Sequence, residues 1–357
     1  MTLLFTPLEL TGATARNRLW VSPMCQYTSV DGMPNDWHHV HLAQFATGGA
    51  GMVITEAAAV TAEGRITAHD AGLWNDEQRD AWAPIVAAIH ARGALAGVQL
   101  AHAGRKASTH RPFDDARGSV SRADGGWTTV APSAIAYEGF AEPVALDADG
   151  IDALVAAFGE AARRADEAGF DLLEIHAAHG YLLHQFLSPL SNTRTDEHGG
   201  SLENRARVLL RVVEAVRDAA PNRTIAVRFS ATDWAEGGWG VEETATVAGW
   251  VGEHGASVID VSTGGLVAHQ QITTGPGYQV PFAATIRERT GLLVTAVGEI
   301  LDGPQAEAVL RDGLADAVMI GRGWLRDPHF ALHAADELGD AEAATLWPPQ
   351  YLRARRR

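Results

Sequence analysis

Eight short apolar runs, separated by stretches with helical spacing, constrain the fold of this chain more than any other feature. Some, such as Met52–Thr55 and Ala317–Ile320, are almost continuously apolar, as expected for parallel strands buried on both faces. Eight repeats of strand and helix predict one α/β domain over residues 1–357, a (β/α)8 TIM barrel, with a doubly wound open sheet as the alternative. The runs are Arg18–Ser22, Gly51–Thr55, Leu95–Leu100, Asp171–Ile175, Thr224–Phe229, Ser257–Ser262, Leu292–Val297 and Asp316–Ile320.

The segments between these runs predict amphipathic helices. Apolar residues recur near i, i+3 and i+4 over Asp76–Arg92, Asp149–Ala168 and Ser201–Ala219. A glycine follows several helical segments, where a backbone often leaves the helix in the left-handed region. The connection at about residues 103–149 is long enough to predict a functional loop excursion, and a C-terminal tail is expected at about 339–357.

Composition and charge exclude several classes of protein. The net charge is −16, and such an acidic chain is expected to be a poor general nucleic-acid binder, because neutralising phosphates requires a basic face. The single cysteine, Cys25, excludes intramolecular disulfides and clusters that need four thiolates. The sequence has no N-terminal signal peptide and no apolar stretch of roughly 18 residues, so we expect a cytoplasmic protein without a membrane partner.

Barrels of this kind place their catalytic groups at the C-terminal ends of the strands. The end of the fourth run is the richest, since it carries His176, His179 and Tyr181. Two interpretations of the histidines remain open. They are either a pair of metal ligands, for which no third ligand stands out, or donors to an anionic oxygen. In the second case Tyr181 would act as a proton donor, because an unperturbed tyrosine stays protonated at neutral pH.

Glycines after the last two runs predict a phosphate site. Gly298 and the pair Gly321–Arg322 lie where barrels bind phosphate with backbone N–H groups, and the guanidinium adds positive charge. Gly48–Gly51 precedes a strand, so it does not predict a dinucleotide-binding loop. The cluster His38-His39-x-His41 lies at the start of a predicted helix, and we expect a structural role for it.

Two residues that occur once in the chain have two interpretations each. Cys25 follows the first run and is either a small buried apolar residue or a functional group. Lys106, the single lysine, either reflects a composition biased towards arginine or contacts an anionic ligand after the third run.

Three motifs in combination are specific enough to indicate a family. They are Ser22-Pro23-Met24-Cys25-Gln26-Tyr27, the segment QLAHAGRK from Gln99 to Lys106, and His176-Ala-Ala-His-Gly-Tyr181 followed by Ser188-Pro-Leu-Ser-Asn-x-Arg-Thr-Asp196. Over essentially its whole length, the chain resembles the Old Yellow Enzyme family of flavin-dependent ene-reductases. Cys25 with Tyr27, and the C-terminal Gln350-Tyr351-Leu352-Arg353, are similar to its thermophilic-like branch, which includes the xenobiotic reductases.

The resemblance implies a barrel that holds non-covalent FMN at its C-terminal mouth and uses NADPH as hydride donor. His176 and His179 would bind the carbonyl oxygen of the substrate, and Tyr181 would supply the proton. Tyr27 would line the substrate pocket, and Arg353 would reach the site of a neighbouring subunit, in a homodimer or homotetramer. The residues implied to hold FMN are Ser22, Pro23, Met24, Cys25, Ala57, Gln99 and Arg228 at the ring, and Val297, Gly298, Gly321 and Arg322 at the phosphate.

The implied activity is that of an NADPH dehydrogenase and ene-reductase. It would reduce small activated alkenes (enones, enals, maleimides and nitro compounds) by ping-pong hydride transfer via flavin N5, without a metal. Cys25 would tune the flavin, and Arg228 would stabilise added negative charge. Two other functions remain open: a metal-dependent barrel hydrolase with His176 and His179 as ligands, and a non-catalytic flavin or ligand binder.

Overall fold

A computed structural model describes residues 2–355; Met1 of the predicted domain and residues 356–357 of the predicted tail lie outside the described residues. Its strands are β1 (Leu8–Leu10), β2 (Ala13–Ala15), β3 (Leu19–Val21), β4 (Met52–Ala59), β5 (Leu95–Ala101), β6 (Val130–Ala131), β7 (Val144–Ala145), β8 (Leu172–Ala177), β9 (Thr224–Ser230), β10 (Val258–Ser262), β11 (Leu293–Ala296) and β12 (Ala317–Ile320). The strands β3, β4, β5 and β8 to β12 form a closed parallel barrel, in which β12 pairs with β3. The predicted (β/α)8 barrel is therefore confirmed, and the open sheet is wrong.

Helices follow the barrel strands and surround them. They are α1 (Asp36–Thr47), α2 (Asp76–His90), α3 (Ala148–Ala168), α4 (Leu182–Leu187), α5 (Leu202–Ala219), α6 (Val241–Glu253), α7 (Val280–Thr290), α8 (Gly303–Arg311), α9 (Arg322–Arg326) and α10 (Phe330–Glu337). The three helices predicted from spacing correspond to α2, α3 and α5. Gly169 ends α3 with φ 94°, as its position in the sequence predicts. In the described part of the chain, no helix has the length and apolar character needed to span a membrane.

The apolar residues form two layers of core. The interior of the barrel is filled by large side chains that are almost fully buried, among them Trp20, Met52 and Met319. Outside the barrel, the apolar faces of the helices pack against the outward-facing strand residues, as Phe158 of α3 does. Because both faces of each strand are covered, the strands read as continuous apolar runs in the sequence.

The second barrel strand differs from the prediction. We expected it to end at Thr55, but β4 continues to Ala59, and its pairing with β5 shifts register between Ile54 and Ala57. Such an irregularity re-aims side chains and is common beside active sites. It lies next to Glu56 and Ala57, at the C-terminal end of the barrel.

A hairpin closes the other end of the barrel. β1 and β2 pair in antiparallel fashion, and Leu8 and Ala15 belong to the same apolar cluster as the barrel interior. The Thr224 hydroxyl, at the start of β9, donates a hydrogen bond to the carbonyl oxygen of Thr11 over 3.1 Å. The barrel interior is therefore capped at the N-terminal ends of its strands.

The long connection after β5 lies over the C-terminal end. It begins with a 3₁₀ turn at Gly104–Lys106, contains the short pair β6 and β7, and leads into α3. Arg105 donates from Nη2 to the carbonyl oxygen of Leu266 over 2.8 Å, which ties this loop to the segment after β10. The ring of Phe113 packs edge-on against Tyr27, with 6.2 Å between ring centroids.

Candidate active site

The C-terminal mouth of the barrel gathers most residues that the sequence singles out. The loop after β3 is fixed at its start, because the Ser22 amide donates to the carbonyl oxygen of Ile320 over 3.0 Å. From across the barrel, the Nη2 atom of Arg228 donates to the Ser22 hydroxyl over 3.1 Å. These bonds join the ends of β3, β9 and β12 around one opening.

The histidine pair stands on one side of this opening. His176 is the fifth residue of β8, and His179 follows the strand in the left-handed region, with φ 57°. Their imidazole rings meet edge to face, with His176 Nε2 and His179 Nδ1 3.4 Å apart. The structure thus brings one nitrogen of each ring to the same place.

Close packing of backbone explains the glycine of the His-Gly-Tyr motif. Gly180 has φ 73°, and a Cβ built on it would lie 2.2 Å from the carbonyl oxygen of Gly265. No side chain fits there, so only glycine lets the loop after β8 lie against the loop after β10. This contact sets the direction in which His179 and Tyr181 leave the strand.

Both histidines are uncharged at neutral pH. Burial, with the nearby positive charge of Arg228, lowers the pKa of His176 and of His179 well below the usual value. A neutral imidazole has one N–H donor and one acceptor nitrogen. The Ala178 amide donates to Nδ1 of His176 over 3.3 Å, so His176 carries its hydrogen on Nε2, facing the site.

Ser262 and Gln279 extend this network, and the sequence did not single out either of them. The Ser262 hydroxyl lies 2.8 Å from Nε2 of His179 and 3.4 Å from Oε1 of Gln279. If the hydroxyl donates to His179, the hydrogen of that imidazole moves to Nδ1, and both histidines then present N–H donors to one point. Ser262 ends the sixth predicted run, but neither residue belongs to a motif that would have indicated this contact.

Tyr181 stands beside the pair at the start of α4. Its ring lies 5.0 Å from the ring of His176, at 72°. Burial, followed by the nearby Cys25 and Asp70, raises the pKa of Tyr181 well above the usual value. Tyr181 therefore holds its proton throughout the neutral range.

The loop after β3 supplies the thiol and the second tyrosine. Cys25 is a half-buried free thiol, whose pKa is raised by burial and by the carboxylates of Asp70 and Glu56. Tyr27 has φ 55°, and burial raises its pKa too. Both side chains are thus neutral, and the thiol is not the thiolate that a nucleophilic role would need.

A charged network lies beneath the opening. Nε of Arg228 lies 2.9 Å from Oδ2 of Asp260, and Gln99 donates to Oε1 of Glu174 over 2.7 Å. Burial and the neighbouring Asp260 raise the pKa of Glu174 to about 8, so Glu174 is protonated at pH 7. The positive charge of Arg228 is therefore balanced by the carboxylate of Asp260 and not also by Glu174. Neither acid was predicted, because each lies inside a strand that reads as apolar.

A cavity of about 370 Å³ extends from Arg228 and Ser262 to the ends of β11 and β12. Gly298 there has φ 118°, and a Cβ on it would lie 2.8 Å from the Gln279 side chain. Gly321 faces Met24, and the exposed Arg322 also lines the cavity. Glycine backbone, an exposed guanidinium and a buried cation suit a phosphorylated aromatic ligand, so these residues fit FMN.

The remaining predicted residues are placed as follows. Pro23 lies in the loop after β3, Ala57 at the irregularity of β4, and Val297 at the end of β11 beside the cavity. Arg353 is exposed, on a tail whose residues Thr345–Tyr351 pack beside the C-terminal ends of α1 and α2. Those helix ends lie at the closed end of the barrel, so Arg353 is not brought to the histidine pair of its own chain.

The histidine cluster of His38, His39 and His41 includes a residue with a structural role. His38 completes the capping box of α1, and its Nε2 atom lies 2.9 Å from Oε1 of the buried Glu56. Among the residues from 2 to 355, no group of three or more His, Cys, Asp or Glu side chains is arranged to hold a metal ion. The pair His176 and His179 thus lacks the third ligand that a catalytic zinc site requires.

Comparison with known proteins agrees with this geometry. Residues 3–341 match the model of the NADH:flavin oxidoreductase / NADH oxidase family. The chain is 47% identical to an NADPH dehydrogenase of Listeria innocua, over 99% of both chains, and 44% identical to one of Bacillus subtilis, over 98% of both. It also resembles morphinone reductase in complex with tetrahydroNAD, with TM-score 0.78 and 30% identity over 95% of this chain and 91% of that one. An old yellow enzyme homologue from Zymomonas mobilis aligns over 99% of both chains, with TM-score 0.77 and 28% identity.

Proposed function

Because the chain belongs to the NADH:flavin oxidoreductase / NADH oxidase family, that of the Old Yellow Enzymes, we propose that it is an ene-reductase for the activated C=C bond of α,β-unsaturated carbonyl compounds. Family membership makes it an NADPH-dependent flavin oxidoreductase with FMN as cofactor. Bound FMN supplies the hydride chemistry between NADPH and the acceptor. The side chains of the mouth bind and orient the acceptor and supply a proton.

One observation carries the proposal: the rings of His176 and His179 meet beside the ring of Tyr181. With Ser262 donating to His179, the pair presents two neutral N–H donors to one point, which suits a carbonyl oxygen that gains negative charge as the alkene is reduced. Donors of this kind contribute on the order of 3 kcal/mol each to a transition state. They also draw electron density from the C=C bond.

Tyr181 then protonates the α-carbon of the substrate. Tyr181 is suited to this role because it keeps its proton at neutral pH and its ring lies 5.0 Å from the ring of His176. General acids positioned in this way typically contribute about 10² to 10⁴ in rate. Tyr27 would close the pocket over the substrate, together with Phe113 of the long connection.

The FMN ring would be held by Ser22 to Cys25, Ala57, Gln99 and Arg228, and the phosphate by Val297, Gly298, Gly321 and Arg322. Arg228 would stabilise negative charge on the ring, since Asp260 and Ser22 fix its position. The neutral thiol of Cys25 would set the polarity of the ring's surroundings.

The proposal includes small activated alkenes as substrates and an oligomer in which Arg353 enters a neighbouring site. The exposed position of Arg353 at the far end of the barrel supports its role in a neighbouring site, because the side chain is available to another subunit. Arg353→Ala should then weaken substrate binding without changing FMN content.

Anaerobic stopped-flow measurements test the proposal. NADPH should bleach the flavin absorbance of the purified protein, and cyclohexenone should restore it. A flavin that NADPH never bleaches would indicate a non-catalytic binder. Bleaching that ferricyanide reverses and cyclohexenone, maleimides and nitroalkenes do not would leave a flavin oxidoreductase that is not an ene-reductase.

A further inference from the structure

A small cavity lies beside Tyr181, on the side of β4 and β5. Its volume is about 10 Å³, enough for roughly one water molecule. Most of its wall is formed by alanines and glycine. Two of its lining residues carry polar side chains, Tyr181 and Asp70, and the proposed mechanism gives no role to Asp70.

Asp70 is held in place by its own loop. Its Oδ2 accepts from the Ile66 amide over 2.7 Å, and its Oδ1 accepts from the amide and the hydroxyl of Thr67 over 3.0 and 2.8 Å. Asp70 as a whole residue is 2% exposed. The Ala59 amide donates to the carbonyl oxygen of Ala71 over 2.9 Å, which fixes the following residue to the end of β4. The carboxyl group is therefore rigidly placed.

We propose that Asp70, through one water in this cavity, supplies the proton that replaces the one Tyr181 gives to the substrate. The inference rests on the proposed function. As the Tyr181 O–H bond breaks and a C–H bond forms at the α-carbon, the water protonates the phenolate and takes a proton from Asp70. Bulk water then reprotonates Asp70, so each turnover consumes one proton and oxidises or reduces nothing further.

The need for such a step follows from burial. Because burial holds the pKa of Tyr181 well above the usual value, its phenolate is costly to form. A second proton donor therefore lowers the barrier to proton transfer from Tyr181. Burial raises the pKa of Asp70 to about 7, which leaves it a competent acid at neutral pH. The titratable and charged groups that face Asp70 are Glu56 of β4, Cys25 and Tyr27 after β3, the neighbouring Arg65, and Tyr181 after β8.

Asp70→Asn tests the relay, because the amide keeps the shape of the side chain but cannot give up a proton. We expect reoxidation by cyclohexenone to slow at least ~10-fold more than reduction by NADPH. In the wild type, reoxidation should slow as the pH rises through about 7, as Asp70 loses its proton, and the variant should lose this dependence. Asp149→Asn, an exposed change at the start of α3, is the control.

Two measurements do not depend on the folding of that variant. Ala59→Val fills the cavity and leaves Asp70 in place, so it should slow reoxidation in the same way. In mixtures of H₂O and D₂O, the wild-type rate should depend on the deuterium fraction along a curve, since more than one proton moves. Infrared spectroscopy adds a direct readout of Asp70. The band of its protonated carboxyl group should titrate near pH 7 in the wild type and be absent from Asp70→Asn.

The outcomes separate the inference from the function it rests on. Normal reoxidation and an unchanged pH profile in Asp70→Asn, or a linear isotope plot, would overturn the relay. If Tyr181→Phe also reoxidised at the normal rate, the assignment of Tyr181 as proton donor would fall with it. Slow reoxidation in Tyr181→Phe alone would leave the proposed function standing without the relay.

Discussion

The Nζ atom of Lys106 lies 2.9 Å from the carbonyl oxygen of His179. A second hydrogen bond of 2.9 Å joins the same atom to the carbonyl oxygen of Gly265. The single lysine of the chain therefore fastens the loop after β8 to the loop after β10, at the point where the His179 backbone is left-handed. Neither interpretation of Lys106 from the sequence included this positional role, in which both contacts are with carbonyl oxygens of the chain.

Lys106→Met should disorder the histidine pair while leaving the phosphate end intact. We expect affinity for p-hydroxybenzaldehyde to fall at least ~10-fold, because hydrogen bonds from a charged donor contribute about 1.5–3 kcal/mol. Flavin content should not change. Ligand titration followed by visible absorbance measures both, with Arg122→Met on the exposed part of the long loop as the control. Unaltered phenol affinity would show that His179 is held without the lysine.

Replacing both histidines tests the oxygen site directly. His176→Ala with His179→Ala should retain FMN and lose affinity for phenolic ligands by roughly 10- to 100-fold, the loss expected for two hydrogen bonds. The exposed His39→Ala on α1 serves for comparison. Equal phenol binding in the double variant and the wild type would mean that the pair does not bind oxygen.

Tyr181→Phe should separate the two half-reactions. The variant lacks the phenolic proton but keeps the ring beside His176, so we expect reoxidation by an enone to slow about 100-fold and reduction by NADPH to change little. Stopped-flow traces of each half-reaction provide the measurement, and the exposed Tyr351→Phe is the matched substitution. A similar slowing of both steps would contradict a role in proton donation.

Glu174→Gln should change how stability depends on pH. The folded protein holds the Glu174 proton up to about pH 8, whereas the unfolded chain releases it near pH 4.5. The folded state thus binds more protons between these values, and the wild type loses stability there as the pH rises. The glutamine has no proton to lose and keeps an acceptor for Gln99, so the free energy of unfolding of the variant, relative to wild type, should rise from pH 4.5 to 8 and level off above. Urea unfolding at pH 5, 7 and 9 measures this, and a difference that stays constant with pH would place the titration elsewhere.

The barrel was predictable because its strands are buried on both faces. Each of the eight runs gives a barrel strand within a few residues, and continuous burial is what makes Val258–Ser262 or Ala317–Ile320 visible in the sequence. The longer β4 was not predictable, because its extension reads Glu-Ala-Ala-Ala, which favours a helix as much as a strand. The register shift depends on pairing with β5, which local sequence does not encode.

The site was predictable where residues form motifs and not where distant strands meet. His176, His179 and Tyr181 share one strand end, so one segment is enough to group them. Asp260 and Glu174 contact Arg228 and Gln99 because they are register partners on neighbouring strands, and local sequence does not encode that register. Asp70 lies in a loop without a motif, and only the shared cavity connects it with Tyr181.

The hairpin of β1 and β2 restricts the routes by which ligands can reach the site. Because Leu8 and Ala15 pack against the barrel interior at the N-terminal ends of the strands, ligands do not reach the histidines through that end and approach from the C-terminal mouth. If a nicotinamide and an alkene both bind through this mouth, the two would compete for it. An excess of either one would then inhibit the reaction of the other.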